Sequence, residues 1–235
     1  ARVLGTWSSL GAGFDVEPTA PADVDLERLL LDTAREAPAM ARLFVVAATW
    51  LHQLHDTVAR HRLTRLVADE LEVEHRPVLG LLLDVAQQGT HPRAFTSVVA
   101  RLPAASPPRP LFEAFRRSEG MTEIARSRTA DLSRAWGLWA QPIELKSDVI
   151  RPAAWIMARH PSLRTRADFR GDLRASIMAA LRHDTGAGAS EVRLAELAGG
   201  SRSQVRNALA NLQLTGRVAI RRAQRANRRE IAIAA

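Results

Sequence analysis

Between residues 201 and 207 the chain carries Ser201, Arg202, Ser203, Gln204, Arg206 and Asn207 around a single apolar residue, Val205. These side-chain types can read base edges. Arg pairs with O6 and N7 of guanine, and Gln or Asn pairs with N6 and N7 of adenine. A second polar set follows: Arg221, Arg222, Arg225, Asn227, Arg228 and Arg229. Its guanidinium groups suit backbone phosphates, and Arg225 could also reach a minor groove. No acidic residue lies between Arg202 and Arg229, so nothing in that stretch repels phosphate. The chemistry on offer is recognition of a polyanion, without any bond made or broken.

Such side chains need a frame that turns them outward. Val205, Ala208, Leu209 and Leu212 recur at helical spacing, which gathers them on one face and leaves Arg202, Ser203, Gln204, Arg206 and Asn207 on the outer one. Ser201 stands where an N-cap hydroxyl belongs, and Gly216 stops the helix near Thr215. Gly199-Gly200 supplies a tight turn before it. Upstream, 192–198 reads as a short helix with Leu194 and Leu197 inward, and 172–183 as another with Leu173, Ile177, Ala180 and Leu181 inward. Downstream, 217–222 and 229–234 alternate apolar and polar residues through Val218, Ile220, Ile231 and Ile233. That two-residue period predicts two strands joined by a polar tip at 223–228.

Helix, helix, turn, helix and hairpin in this order, with Ala195-Glu196-Leu197-Ala198-Gly199-Gly200-Ser201-Arg202-Ser203-Gln204-Val205 and then Ala208-Leu209, Leu212, Gly216 and Val218, resembles many bacterial winged-helix transcription regulators. The resemblance covers 172–234 and departs at Gly200, where an aliphatic residue commonly closes the turn. It implies a winged helix-turn-helix over 166–235 whose helix from Ser201 to Thr215 enters the major groove of double-stranded DNA. It further implies sequence-specific DNA binding in transcription regulation, by a homodimer that spans two half-sites, with no enzymatic activity and no cofactor. The alternative is a non-enzymatic adaptor or subunit of a larger complex, in a defence or mobile-element system, whose winged helix contacts protein.

Charge is distributed in keeping with that reading. Of the 33 basic residues 32 are Arg, a compositional bias that makes the total a weak argument. Its placement is a better one. Residues 1–150 carry 17 basic and 19 acidic side chains, whereas 151–235 carry 16 and 6. A local block of positive charge is the footprint of a polyanion-binding face.

The remainder predicts a mainly α protein. Residues 1–22, rich in Gly, Ser, Pro and Ala, read as an irregular arm anchored by Trp7 and Phe14. Residues 23–165 read as an all-α domain for dimerisation, an effector or a protein partner. Leu43, Phe44, Ala47, Trp50, Leu51, Leu54 and Val58 share one face of a helix over 42–61. The next helix carries Leu63, Leu66, Val67 and Leu71. Pro77 opens one that is apolar nearly all round, Pro92 opens another, and helix returns near Leu111 and again at 121–139. Residues 103–110 cannot form helix, Ser147 is an N-cap, and the Arg-rich 160–170 reads as the join.

Other constellations carry less. His52 and His55 lie three apart beside Asp56 and His61, but they match no metal or phosphohydrolase motif and read as surface histidines. Glu70, Glu72 and Glu74 read as a solvated helix end. Trp136, Trp139, Trp155, Phe112 and Phe115 read as core. With no Cys there is neither a disulfide nor a thiolate metal site. No apolar run approaches the roughly 20 residues of a membrane span, and no secretory layout opens the chain, so a cytoplasmic, nucleoid-associated protein is expected.

Overall fold

The computed structural model describes residues 2–18, 23–89, 92–222 and 229–234. The chain is mainly helical. No helix among the described residues is long and apolar enough to cross a membrane.

The opening residues differ from the expected irregular arm. Arg2–Ser9 forms helix α1, whose Trp7 is completely buried, as is Leu10 just beyond it. Val3, Trp7 and Leu10 recur at helical spacing, a signal masked in sequence by the glycines and serines between them. Trp7 packs edge-on against Trp50 at 5.4 Å and donates its indole N–H to the Thr33 hydroxyl at 2.8 Å.

Helices α2 (Leu26–Glu36), α3 (Ala41–Leu54), α4 (Arg60–Glu70) and α5 (Arg76–Gln87) surround the first core. The α3 face is buried as its periodicity predicts, and α5 is buried on nearly every side. The run over 42–61 is not one helix, however. It breaks after Leu54 into a single 3-10 turn, His55–Thr57, where the Thr57 hydroxyl donates to the Leu54 carbonyl at 2.7 Å. The hydroxyl satisfies a carbonyl at the end of α3, and the chain turns from there into α4.

Short α6 (Thr96–Val99) starts four residues after Pro92 rather than at it. Helix α7 (Glu119–Ser127) and the single turn α8 (Asp131–Ala135) replace the continuous helix expected over 121–139. An all-α reading also missed one contact. Strand β1 (Arg109–Pro110) pairs in parallel with β2 (Leu138–Trp139). Two-residue strands offer no alternation to detect.

Helices α9 (Ala153–Arg159) and α10 (Pro161–Asp168) complete this part. The stretch expected to be a polar join is therefore packed, with Leu163 and Arg166 buried. A second, smaller core follows, from α11 (Leu173–His183), α12 (Glu191–Ala198), α13 (Arg202–Leu214) and the antiparallel strands β3 (Val218–Arg222) and β4 (Arg229–Ile233). Ile177, Leu194, Val205, Leu209, Leu212, Val218 and Ile231 fill it.

Candidate nucleic-acid interface

Helix α13 begins with a reciprocal cap. The Ser201 hydroxyl accepts the Gln204 amide at 3.3 Å, and the Gln204 side-chain oxygen accepts the Ser201 amide at 3.0 Å. Both side chains predicted to face a partner are thus engaged in starting the helix. The Ser203 hydroxyl lies 3.1 Å from that of Ser201. Arg202, Ser203 and Asn207 are exposed, while Val205, Leu209 and Leu212 are buried beneath them. Among the described residues no carboxylate pairs with Arg202.

Arg206 differs. Its guanidinium reaches back to Glu191 at the start of α12, with two contacts of 3.1 Å. Both partners keep solvent contact, so the pair is a weak tether and not a lock.

The turn ahead of α13 is held from outside. Gly199 has φ +82°, a backbone conformation costly for other residues, and a β-carbon there would stand 2.4 Å from the His61 carbonyl of α4. Gly200 is explained by its neighbours. A β-carbon at this position would meet the Leu173 methyls at 2.8 and 2.9 Å. Leu173 of α11 therefore fills the space that an aliphatic turn residue would take.

Between α12, the start of α13 and the two strands lies a cleft of about 530 Å³ lined by Glu191, Val192, Arg202, Ile220 and Ile231. The strand register sets Arg221 opposite Glu230 and Arg222 opposite Arg229. The side chains of Arg221, Arg222 and Arg229, and all of Arg225, Asn227 and Arg228, lie outside the described residues.

The second core is bound to the first by an ionic junction that the sequence reading missed. Arg62 of α4 is fully buried. It donates to Asp184 at 2.8 and 3.0 Å, to Asp25 at 2.7 and 2.8 Å, and to Glu27 at 3.0 Å. These contacts use the whole guanidinium fork. Arg166 donates to Glu27 from α10, and Arg28 joins Asp25 to Asp184 at 2.9 Å each. Arg182 of α11 pairs with Asp23. Burial opposes the ionised form of Asp25, yet hydrogen bonds and charge from Arg62 hold its pKa down at about 2. The same balance acts on Arg62: burial disfavours its charge, but bonds to Asp25 and Asp184 raise its pKa above the usual Arg value. One signal was present in the sequence. Arg62 falls four residues before Leu66, on the apolar face of α4.

The remaining constellations have structural roles. The His52 ring lies 2.8 Å from the Ala86 carbonyl, and no group of three metal-capable side chains converges among the described residues. Glu70 and Glu72 keep solvent contact while tying α4's end to Arg28 and Arg35 of α2. Trp136 is buried and donates to Asp84 at 2.8 Å, and Phe112 packs edge-on to Phe44. Trp155 is only partly buried, beneath the Arg159 guanidinium at 4.5 Å.

No family model, curated protein or solved structure matches this chain.

Proposed function

We propose that residues 172–234 form a winged helix-turn-helix that docks on double-stranded DNA, and that the protein is a sequence-specific DNA-binding regulator of transcription. The observation that carries this reading is the outer face of α13. Arg202, Ser203 and Asn207 stand exposed on its first two turns over a tightly packed underside. The amino end of a helix also carries partial positive charge, which favours an approaching phosphate. The hairpin supplies five arginines in 221–229, and the charge of 151–235 has the sign a polyanion needs.

In this reading Arg202 and Asn207 read bases, and the arginines of the hairpin contact phosphates. Ser201 and Gln204 shape the helix end. Arg206 must exchange Glu191 for DNA and so contributes less than Arg202. Two copies bind adjoining half-sites, which raises both affinity and selectivity.

Titration of genomic and operator-enriched duplexes, followed by fluorescence anisotropy over a range of salt, tests this. Arg202→Ala should weaken the preferred duplex by about 1–3 kcal/mol and relax its sequence preference. Arg225→Ala and Arg228→Ala should weaken all duplexes alike and flatten the salt dependence. Binding that ignores all three substitutions would remove this surface from consideration.

A further inference from the structure

A groove runs beside the turn between α12 and α13, and both parts of the chain line it. His61, Thr64 and Arg65 come from α4, Arg101 follows α6, and Gly199-Gly200 closes the other wall around about 350 Å³. A recess of about 80 Å³ continues from His61, Thr64 and Arg101 to Arg60 and Ser97.

The cations here are unevenly neutralised. Arg65 pairs with Asp69 at 3.0 Å, and Glu196, the acid on the wall, is held by Arg193 at 3.1 Å. Arg60 meets Asp56 at 3.4 Å, the long end of ion-pair range, and its Nε is buried without a hydrogen-bond partner. Burial lowers the Arg60 pKa, with Asp56 and Asp172 acting against that shift. Among the described residues Arg101 pairs with no carboxylate. A buried N–H without an acceptor, as at the Arg60 Nε, is costly unless something supplies one.

We propose that this groove binds a phosphate group, held chiefly by Arg101 and Arg60 with the Ser97 hydroxyl beside them. Guanidinium forks match phosphate oxygens in shape and charge, and the recess is too narrow for much more than one such group. The wider groove leaves room for what the phosphate is attached to. Two sources share this chemistry: a small phosphorylated ligand, or the backbone of a duplex lying along α13. The first is independent of the DNA reading above; the second rests on it. In either case the anion bridges the start of α4 and the α6 segment, beside the turn that starts α13.

The full chain is titrated with sodium pyrophosphate by calorimetry, and with duplex DNA by anisotropy at several salt concentrations, as wild type and Arg101→Ala. Arg101 is exposed, so the variant should keep its melting temperature, and Arg101→Lys provides a charge-retaining control. Arg101→Ala is expected to weaken pyrophosphate at least tenfold. If duplex binding is then unchanged, the groove serves a small phosphorylated ligand. If duplex binding also falls, with a log–log salt slope smaller by about one, the groove serves the DNA backbone. A fall in duplex binding of that kind without a pyrophosphate effect gives the same assignment. Indifference of both ligands to Arg101→Ala overturns the proposal. Loss of the DNA reading would look different: wild type would bind no duplex, while pyrophosphate binding stayed dependent on Arg101.

Discussion

Arginine occupies two opposite environments in this molecule, and the contrast between the junction and the α13 face shows what separates them. At the junction Arg62 is fully buried and every N–H finds a carboxylate oxygen. On α13 Arg202 is exposed and, among the described residues, meets no carboxylate. The residue type is the same and the local helices are alike. What differs is whether acids from other elements converge on it. Asp25, Glu27 and Asp184 lie 37, 35 and 122 residues from Arg62 and satisfy its charge internally. Arg202 keeps its charge exposed to solvent. A buried, saturated cation joins two parts of a protein; an exposed, unsaturated one offers a contact.

The sharpest way to break the contrast is to empty the junction. Arg62→Ala leaves Asp25 and Asp184 to Arg28 and Glu27 to Arg166, with most of their charge compensation removed, and should cost about 3–5 kcal/mol in urea unfolding. Arg202→Ala should leave unfolding within about 0.5 kcal/mol of wild type. Equal losses would erase the distinction.

Acid should probe the same junction. Asp25 titrates lower in the folded chain than in the unfolded one, so its stabilisation is complete above the ordinary carboxylate range and disappears as pH falls toward about 2. The loss amounts to roughly 2 kcal/mol. Asp25→Asn should be less stable at neutral pH and should lack that part of the acid slope. His183, whose pKa burial lowers while Asp25 and Asp23 oppose the shift, adds loss in the same direction as pH falls below its unfolded value. Unfolding followed across pH 2–7 separates the contributions.

The turn links the two regions, and Gly199→Ala tests it. The new methyl would enter the space of the His61 carbonyl at a positive φ, so a loss of about 1–3 kcal/mol is expected. Ser201→Ala removes half of the reciprocal cap and should cost about 1 kcal/mol in thermal unfolding. The smallest effect belongs to Arg206→Ala. Its exposed pair with Glu191 should contribute less than about 0.5 kcal/mol to stability, whatever its effect on DNA.

Local signals were legible wherever one element decided the outcome. The buried stripes of α3 and α13, the cap at Ser201, the positive φ at Gly199 and the two strands of the hairpin all follow from spacing and residue type. Some failures arose where a residue's partner lay far off, others where a short-range side-chain bond left no mark on the periodicity. Helix α1 is hidden in the sequence by the glycines and serines between Val3, Trp7 and Leu10, and Thr33 and Trp50, which meet Trp7, lie far along the chain. Helix α10 read as a linker because the partner of Arg166 is Glu27, 139 residues away. Arg206 read as an open recognition group because its bond to Glu191 is not visible in a helical wheel, whereas Gln204 stands at the Ser-x-x-Gln spacing of a capping box that the sequence does carry.

By itself the chain's sequence determined which residues are apolar every third or fourth position, where glycine must bend the backbone, and that positive charge gathers after residue 150. Those properties depend on near neighbours and on counting. Only the tertiary structure decided which arginines are neutralised and which stand exposed with no carboxylate among the described residues. Charge neutralisation needs contact within a few ångströms, and folding brings together groups that sequence separation keeps apart.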